Sequence, residues 1–143
     1  MLPKNHFISI FSIQTINEQS TESKVKYPCK LYMKNNLCSV LYEENDGVYK
    51  ILSNIKVFRS GKIIISRKKG ENFEKLIFEQ NKCHNYTHFT EFGALTLEIF
   101  THDVSCYITK NYCKIELLYS LNSSGTTLSK NKIIIIVEEE KNV

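Results

Sequence analysis

In 143 residues the chain has only 2 prolines and 5 glycines, few for a protein that must turn often. Asn, Asp and Ser must therefore carry many of its turns. No run approaches the roughly 18 apolar residues that a membrane-spanning helix needs, so no membrane partner is expected. No segment keeps a 3.6-residue apolar period over ten or more positions, which excludes a helical bundle. The phosphate-cradling loops GxxxxGK[ST] and GxGxxG are missing, and so is the GxSxG elbow of an activated serine. Nothing in the chain calls for a cofactor. Five cysteines are present (Cys29, Cys38, Cys83, Cys106 and Cys113), with no CxxC pair among them. Zinc sites need close ligand pairs, and an odd, scattered set makes a poor disulfide framework, so neither a metal nor a disulfide is expected. Met1 to Gln14 lacks a small-residue cleavage site and breaks its apolar stretch at Ser9 and Ser12, unlike a secretory signal. Reduced thiols and no leader imply a cytoplasmic protein.

A hydrophobic fraction of 42% is enough for a proper core, and the length implies a single domain over residues 1–143. The net charge is +4 with a pI near 8.7. Lys and Glu are interspersed, and the cluster Arg67-Lys68-Lys69 is short, so a basic groove for nucleic acid is not demanded. The abundance of Lys, Asn and Ile also fits an AT-rich genome, which lowers the weight of any lysine count.

The chain is organised around the stretch from Thr87 to Thr101. Gly93 suits a positive φ just before a strand. Beyond it Leu95, Leu97 and Ile99 point one way and Thr96 and Glu98 the other, the two-residue period of a half-buried strand. Similar segments lie on both sides. The pattern predicts strands over residues 6–16, 24–33, 37–44, 49–58, 62–69, 73–80 and 83–89, and further strands around Val104 to Ile108, Cys113 to Leu121 and Ile133 to Val137. Asn17 to Ser23 reads as a turn, and so do Asn35-Asn36, Asn45-Asp46-Gly47, Ser60-Gly61 and Gly70-Glu71-Asn72. Thr101-His102-Asp103 reads as a strand end, Asn122 to Lys130 as a polar loop and Glu138 to Val143 as a charged tail. Pro28 has no N–H to give a ladder, which suggests an edge or a bulge. A two-residue hairpin at Lys110-Asn111 would set Cys106 opposite Ile115 and Val104 opposite Leu117, with all four on one face. Ile133 to Val137 is apolar on both faces, as expected of a central or closing strand or of a dimer contact, so monomer and homodimer both stay open. Many short strands joined by hairpins imply an all-β, antiparallel up-and-down barrel of about eight or more strands.

The run from Arg67-Lys-Lys-Gly70 through Leu76-Ile-Phe78 and Thr90-Glu-Phe-Gly93-Ala-Leu-Thr-Leu-Glu-Ile-Phe-Thr101 to Ile115-Glu-Leu-Leu-Tyr119-Ser-Leu121 resembles the YwiB-like, or DUF1934, family. The order of strands from Leu37 onward extends the likeness over most of the chain. The family's Thr-Pro-Tyr-Gly motif stands here as Thr90-Glu91-Phe92-Gly93, with Glu91 in place of the proline. The Gly-rich turn that precedes the Ile115 strand is replaced by Asn111-Tyr112-Cys113. The resemblance implies a calycin-like (lipocalin-like) barrel and a bacterial cytosolic protein, and it supplies no activity.

Phase selects the candidate site. If Ile63 and Ile65 face inward, so does Arg67. Thr101 follows Leu95, Leu97 and Ile99, and Tyr119 sits between Leu117 and Leu121. A barrel of about eight strands either holds one small ligand or fills with its own side chains. As a ligand site, Arg67 would meet a carboxylate or phosphate, and Tyr119 and Thr101 would supply hydrogen bonds above an apolar floor. As plain structure, Arg67 would reach a glutamate or a loop carbonyl and Tyr119 would pack. His84 and His88 share a strand face about 13 Å apart, too far for one metal ion. Adjacent His102 and Asp103 point to opposite faces and form no triad. Cys106 and Cys113 phase with apolar residues and read as buried, inert thiols. Tyr27, Tyr32, Tyr49 and Tyr112 beside Lys26, Lys30, Lys50 and Lys110 would suit an outer platform for nucleic acid, or an ordinary barrel skin. The expected function is non-catalytic binding of a small apolar or anionic ligand in the barrel. The alternative is a protein- or RNA-interaction module on the basic outer face.

Overall fold

The computed structural model describes residues 6–35, 37–45 and 47–140. Ten strands lie among them: β1 (His6–Ile16), β2 (Gln19–Lys34), β3 (Leu37–Asn45), β4 (Lys50–Phe58), β5 (Ile63–Lys69), β6 (Asn72–Phe78), β7 (Cys83–Thr90), β8 (Gly93–Thr109), β9 (Tyr112–Ser123) and β10 (Thr126–Glu139). They form one antiparallel sheet in the order β6-β5-β4-β3-β2-β1-β10-β9-β8-β7. Every neighbour is also a neighbour in sequence, except that β1 and β10 pair along ten residues and join the two ends of the chain. This is the up-and-down meander expected from the alternation. Ile133 to Val137 runs between β1 and β9, the closing position expected of it, with Ile133, Ile135 and Val137 inward and Ile134 and Ile136 outward.

The closure is not complete. The two ends of the sheet, β6 and β7, lie side by side without a backbone ladder. Side chains bridge this seam. Glu74 Oε1 on β6 is 2.7 Å from His88 Nδ1 on β7, and Glu79 Oε1 is 2.9 Å from His84 Nε2. The turn between β6 and β7 docks on β8 instead: Asn81 N–H donates to Thr101 O at 2.7 Å, and Thr101 N–H to Lys82 O at 3.2 Å.

Several connections are tighter than composition suggests. Asn17 and Glu18, with φ of 49° and 66°, make a two-residue turn, so residues 19–23 belong to β2 and not to a turn. Ser124 and Gly125, with φ of 50° and 81°, likewise turn β9 into β10, where residues 122–130 read as a loop. Such turns carry positive φ at both positions and match the twist of the strands they join. Gly93 has the expected positive φ, 122°. Asn36 and Asp46, which fall in two of the expected turns, lie outside the described residues, as do residues 141–143 of the tail. Pro28 lies where β2 is paired to β1 alone, because pairing with β3 begins at Cys29; a missing donor is tolerated there.

Thr101-His102-Asp103 is not a strand end. β8 runs through it with a β-bulge, since Thr101 pairs with Tyr119 and Asp103 with Leu118, leaving His102 as the extra residue. The bulge explains why the apolar parity changes from odd (Leu97, Ile99) to even (Val104). Beyond it Val104 faces Leu117 and Cys106 faces Ile115, the register expected from a hairpin at Lys110-Asn111.

The interior is filled. Ile8, Val40, Ile55, Ile63, Phe78, Ile99, Cys113, Ile115, Leu117, Ile135 and Val137 are all buried to 1% exposure or less. Phe78 meets Tyr119 edge to face at a centroid distance of 5.0 Å, a favoured aromatic geometry. What space a ligand could use lies toward the ends of the barrel, not in its middle.

Candidate functional site

Register places the inward side chains in levels. On β3 to β6, Tyr42 pairs with Ser53, Ser53 with Arg67 and Arg67 with Glu74. His88 extends this row across the seam through Glu74. The next level down is wholly apolar: Leu31, Val40, Ile55, Ile65 and Leu76 stand side by side on β2 to β6. A polar row therefore sits directly on an apolar floor.

The other half of the barrel repeats the arrangement. Gln14, Asn131, Tyr119 and Thr101 are consecutive partners on β1, β10, β9 and β8. Below them, Ile133, Leu117 and Val104 are partners in the same way. Ser12, Gln14, Tyr119, Asn131 and Ile133 help to line a cleft of about 250 Å³. Asn131 Nδ2 donates to Ser129 Oγ at 3.0 Å. Burial, then the nearby charge of Glu74, pushes the phenol of Tyr86 on β7 up, with Arg67 opposing.

All three residues selected by phase lie on the inner side, in different settings. Thr101 and Tyr119 are cross-strand partners. Thr101 is fully buried, and its hydroxyl meets no hydrogen-bond partner. Arg67 Nη2 is 2.9 Å from Glu44 Oε2, so the guanidinium has a carboxylate partner within the protein. The pair is partly exposed, at 37% and 18%. A pair of this kind contributes at most about 1 kcal/mol, so an incoming anion could compete with Glu44 at low cost.

Tyr42, Ser53, Glu74, Asn131 and Gln14 escaped the sequence reading, and His88 entered it only as a metal-ligand candidate. Tyr42 is in phase with Cys38 and Val40, and Ser53 falls between Ile51 and Ile55, so a search for polar residues on apolar phases finds both. Tyr27 is not part of an outer platform. It packs against the core and stacks on Tyr42 at a centroid distance of 5.8 Å. Cys106 is exposed and not buried, although it shares a face with Val104. Cys113 is buried, and contact with the Cys38 thiol, followed by desolvation, pushes its thiol well up. A neutral thiol is a poor nucleophile. His84 and His88 engage Glu79 and Glu74, and no group of three metal-ligating side chains occurs among the described residues.

Burial pushes the phenols of Tyr42 and Tyr119 from 10.0 up to about 12, with Glu44 adding to the shift at Tyr42 and Tyr86 at Tyr119. The folded phenols thus keep their protons to a higher pH than the unfolded ones. The stability each gives is present below about pH 10 and is lost as pH rises toward about 12. Alkaline titration followed by phenolate absorbance should show this late transition. Tyr42→Phe and Tyr119→Phe should each remove a part of it and flatten the alkaline loss of stability. Unchanged curves in both variants would refute the buried setting of these rings.

The fold is similar to the crystal structure of the ywiB protein from Bacillus subtilis, with a TM-score of 0.84, 16% sequence identity, and coverage of 96% of this chain and 93% of that one. At that identity the likeness concerns the fold alone. No curated protein matches the chain. The family model for a domain of unknown function, DUF1934, matches residues 8–135, and the chain belongs to that family.

Proposed function

We propose that this barrel is a non-catalytic binding protein for a small, partly apolar molecule held at its polar end. The observation that carries the reading is the row Gln14, Asn131, Tyr119 and Thr101 above the apolar row Ile133, Leu117 and Val104, beside a cleft of about 250 Å³. A few convergent polar groups over an apolar floor are the usual makeup of a small-ligand site. The filled middle of the barrel limits the ligand to one that lies at the end and does not thread the interior. A neutral ligand would meet the phenol of Tyr119 and the amide of Asn131. An anionic one would reach Arg67 by displacing Glu44.

The test is a thermal-shift screen with fatty acids, aromatic acids and neutral metabolites. A binder raises the melting temperature in proportion to the logarithm of its concentration over Kd. The shift should shrink in Tyr119→Phe and Asn131→Ala, and Arg67→Gln should abolish it for anions only. A screen in which no compound stabilises the protein, or in which all three variants respond like the parent, would end the proposal.

A further inference from the structure

The outer side of β1 and β10 carries residues that the proposed site does not use. Along β1, Phe7, Ser9 and Phe11 point outward, with Ile136 and Ile134 beside Ser9 and Phe11 on β10. On β2, Lys24 stands directly opposite Phe11, and its Nζ lies 5.0 Å from the ring centroid. Lys26 caps Phe7 at the same distance. The two rings are four residues apart on one strand face, hence about 13 Å apart, with only a serine between them.

The charge on this face is one-sided. Lys24, Lys26, Lys30, Lys130 and Lys132 all lie on the outward phase of β2 and β10, and among the described residues none is in an ion pair. The outward carboxylates on the same strands are Glu22 and Glu138, and on β9 Glu116, beside Ile134, is offset by Lys114, 3.5 Å away. A second copy of the chain would bring lysine against lysine. A polyanion would meet complementary charge.

We propose that this face binds single-stranded nucleic acid. Phosphates would draw Lys24 and Lys26 off the phenylalanines, and the freed ring faces would stack on bases. Alternating aromatic and basic residues on an open sheet provide both contacts that sequence-tolerant binders use, stacking for the base and positive charge for the backbone. A duplex offers charge but no free base, and an acidic polypeptide likewise has nothing to stack.

The experiment is fluorescence anisotropy with the full chain and four probes: a labelled mixed-sequence single-stranded RNA, the matching single-stranded DNA, the duplex, and polyglutamate. Both single strands should bind, and tighter than the duplex and polyglutamate. With three or four phosphates engaged, the affinity should fall about 20- to 50-fold between 50 and 200 mM salt. Phe7→Leu and Phe11→Leu should each weaken the single strands about fivefold or more and leave the duplex unchanged. Lys24→Gln with Lys26→Gln should reduce the salt dependence. Circular dichroism of each variant separates loss of binding from loss of fold, and the lysine changes lie on exposed positions that the core does not need. Equal binding of polyglutamate, or indifference to both phenylalanine changes, would assign the face to an acidic protein partner and overturn the proposal. No binding at low salt by a folded protein would overturn it, as would a stable dimer in sedimentation that buries the same lysines.

Discussion

Phe78→Ala should lower the unfolding free energy by about 3–5 kcal/mol, the range for emptying a buried aromatic site. Against a total of about 5–15 kcal/mol for a domain of this kind, that is a large share. Phe78 is fully buried at the end of β6, where it pairs with Ile63 and meets Tyr119 edge to face. Its strand is held by backbone bonds to β5 only, because the seam toward β7 has no ladder. The ring therefore does two things at once. It fills the interior, and it ties an edge strand to residues on the far side of the seam. Phe73 on the same strand points outward and is 54% exposed, so Phe73→Ala should change stability by no more than about 0.5 kcal/mol. Urea denaturation with an unchanged m-value would measure both. A loss below about 1 kcal/mol at Phe78 would mean that the seam is closed by something other than packing.

Much of this architecture can be read from alternation, and the reasons are local. Leu97 and Ile99, Cys113 to Leu121, and Val104 with Cys106 each show their phase within a few residues, and the hairpin at Lys110-Asn111 then dictates who faces whom. Even the bulge leaves a trace, as a change of parity between Ile99 and Val104. Turns were harder because Asn17-Glu18 and Ser124-Gly125 lie within longer polar stretches, and nothing local distinguishes a polar strand end from a loop. Burial that depends on position along a strand is also invisible: Cys106 has the right phase and still lies exposed, two residues past half-buried Val104. The polar rows needed pairing information. Ser53 stands out as a polar residue on an apolar phase, but it and Glu74 become neighbours of Arg67 only when β4, β5 and β6 are placed in register. The partner of Arg67 comes from two strands away, at Glu44, which no periodicity reveals.

The sharpest test of that phase uses two adjacent and identical residues. Leu117 is 1% exposed and Leu118 is 43% exposed. On β9 the first points into the barrel between Ile133 and Val104, and the second points out between Lys132 and Asp103. Leu117→Asp would place a carboxylate among apolar neighbours with no cation opposite. An unpaired buried charge costs several kcal/mol even after relaxation, so the variant should lose about 4 kcal/mol or more and be largely unfolded if the parent is of ordinary stability. Leu118→Asp gains Lys132 as a direct neighbour on one side and meets Asp103 on the other, so the net change should stay within about 1 kcal/mol. The pH dependence distinguishes a buried charge from a merely smaller side chain. A buried carboxylic acid has its folded pKa raised, so its folded form is favoured below the unfolded value near 4 and loses ground as pH rises. Leu117→Asp should therefore recover part of its stability between about pH 7 and 4, whereas Leu117→Ala should not. Equal tolerance of aspartate at 117 and 118 would mean that β9 does not present alternate faces to core and solvent, and the levels from which the polar rows are built would have no basis.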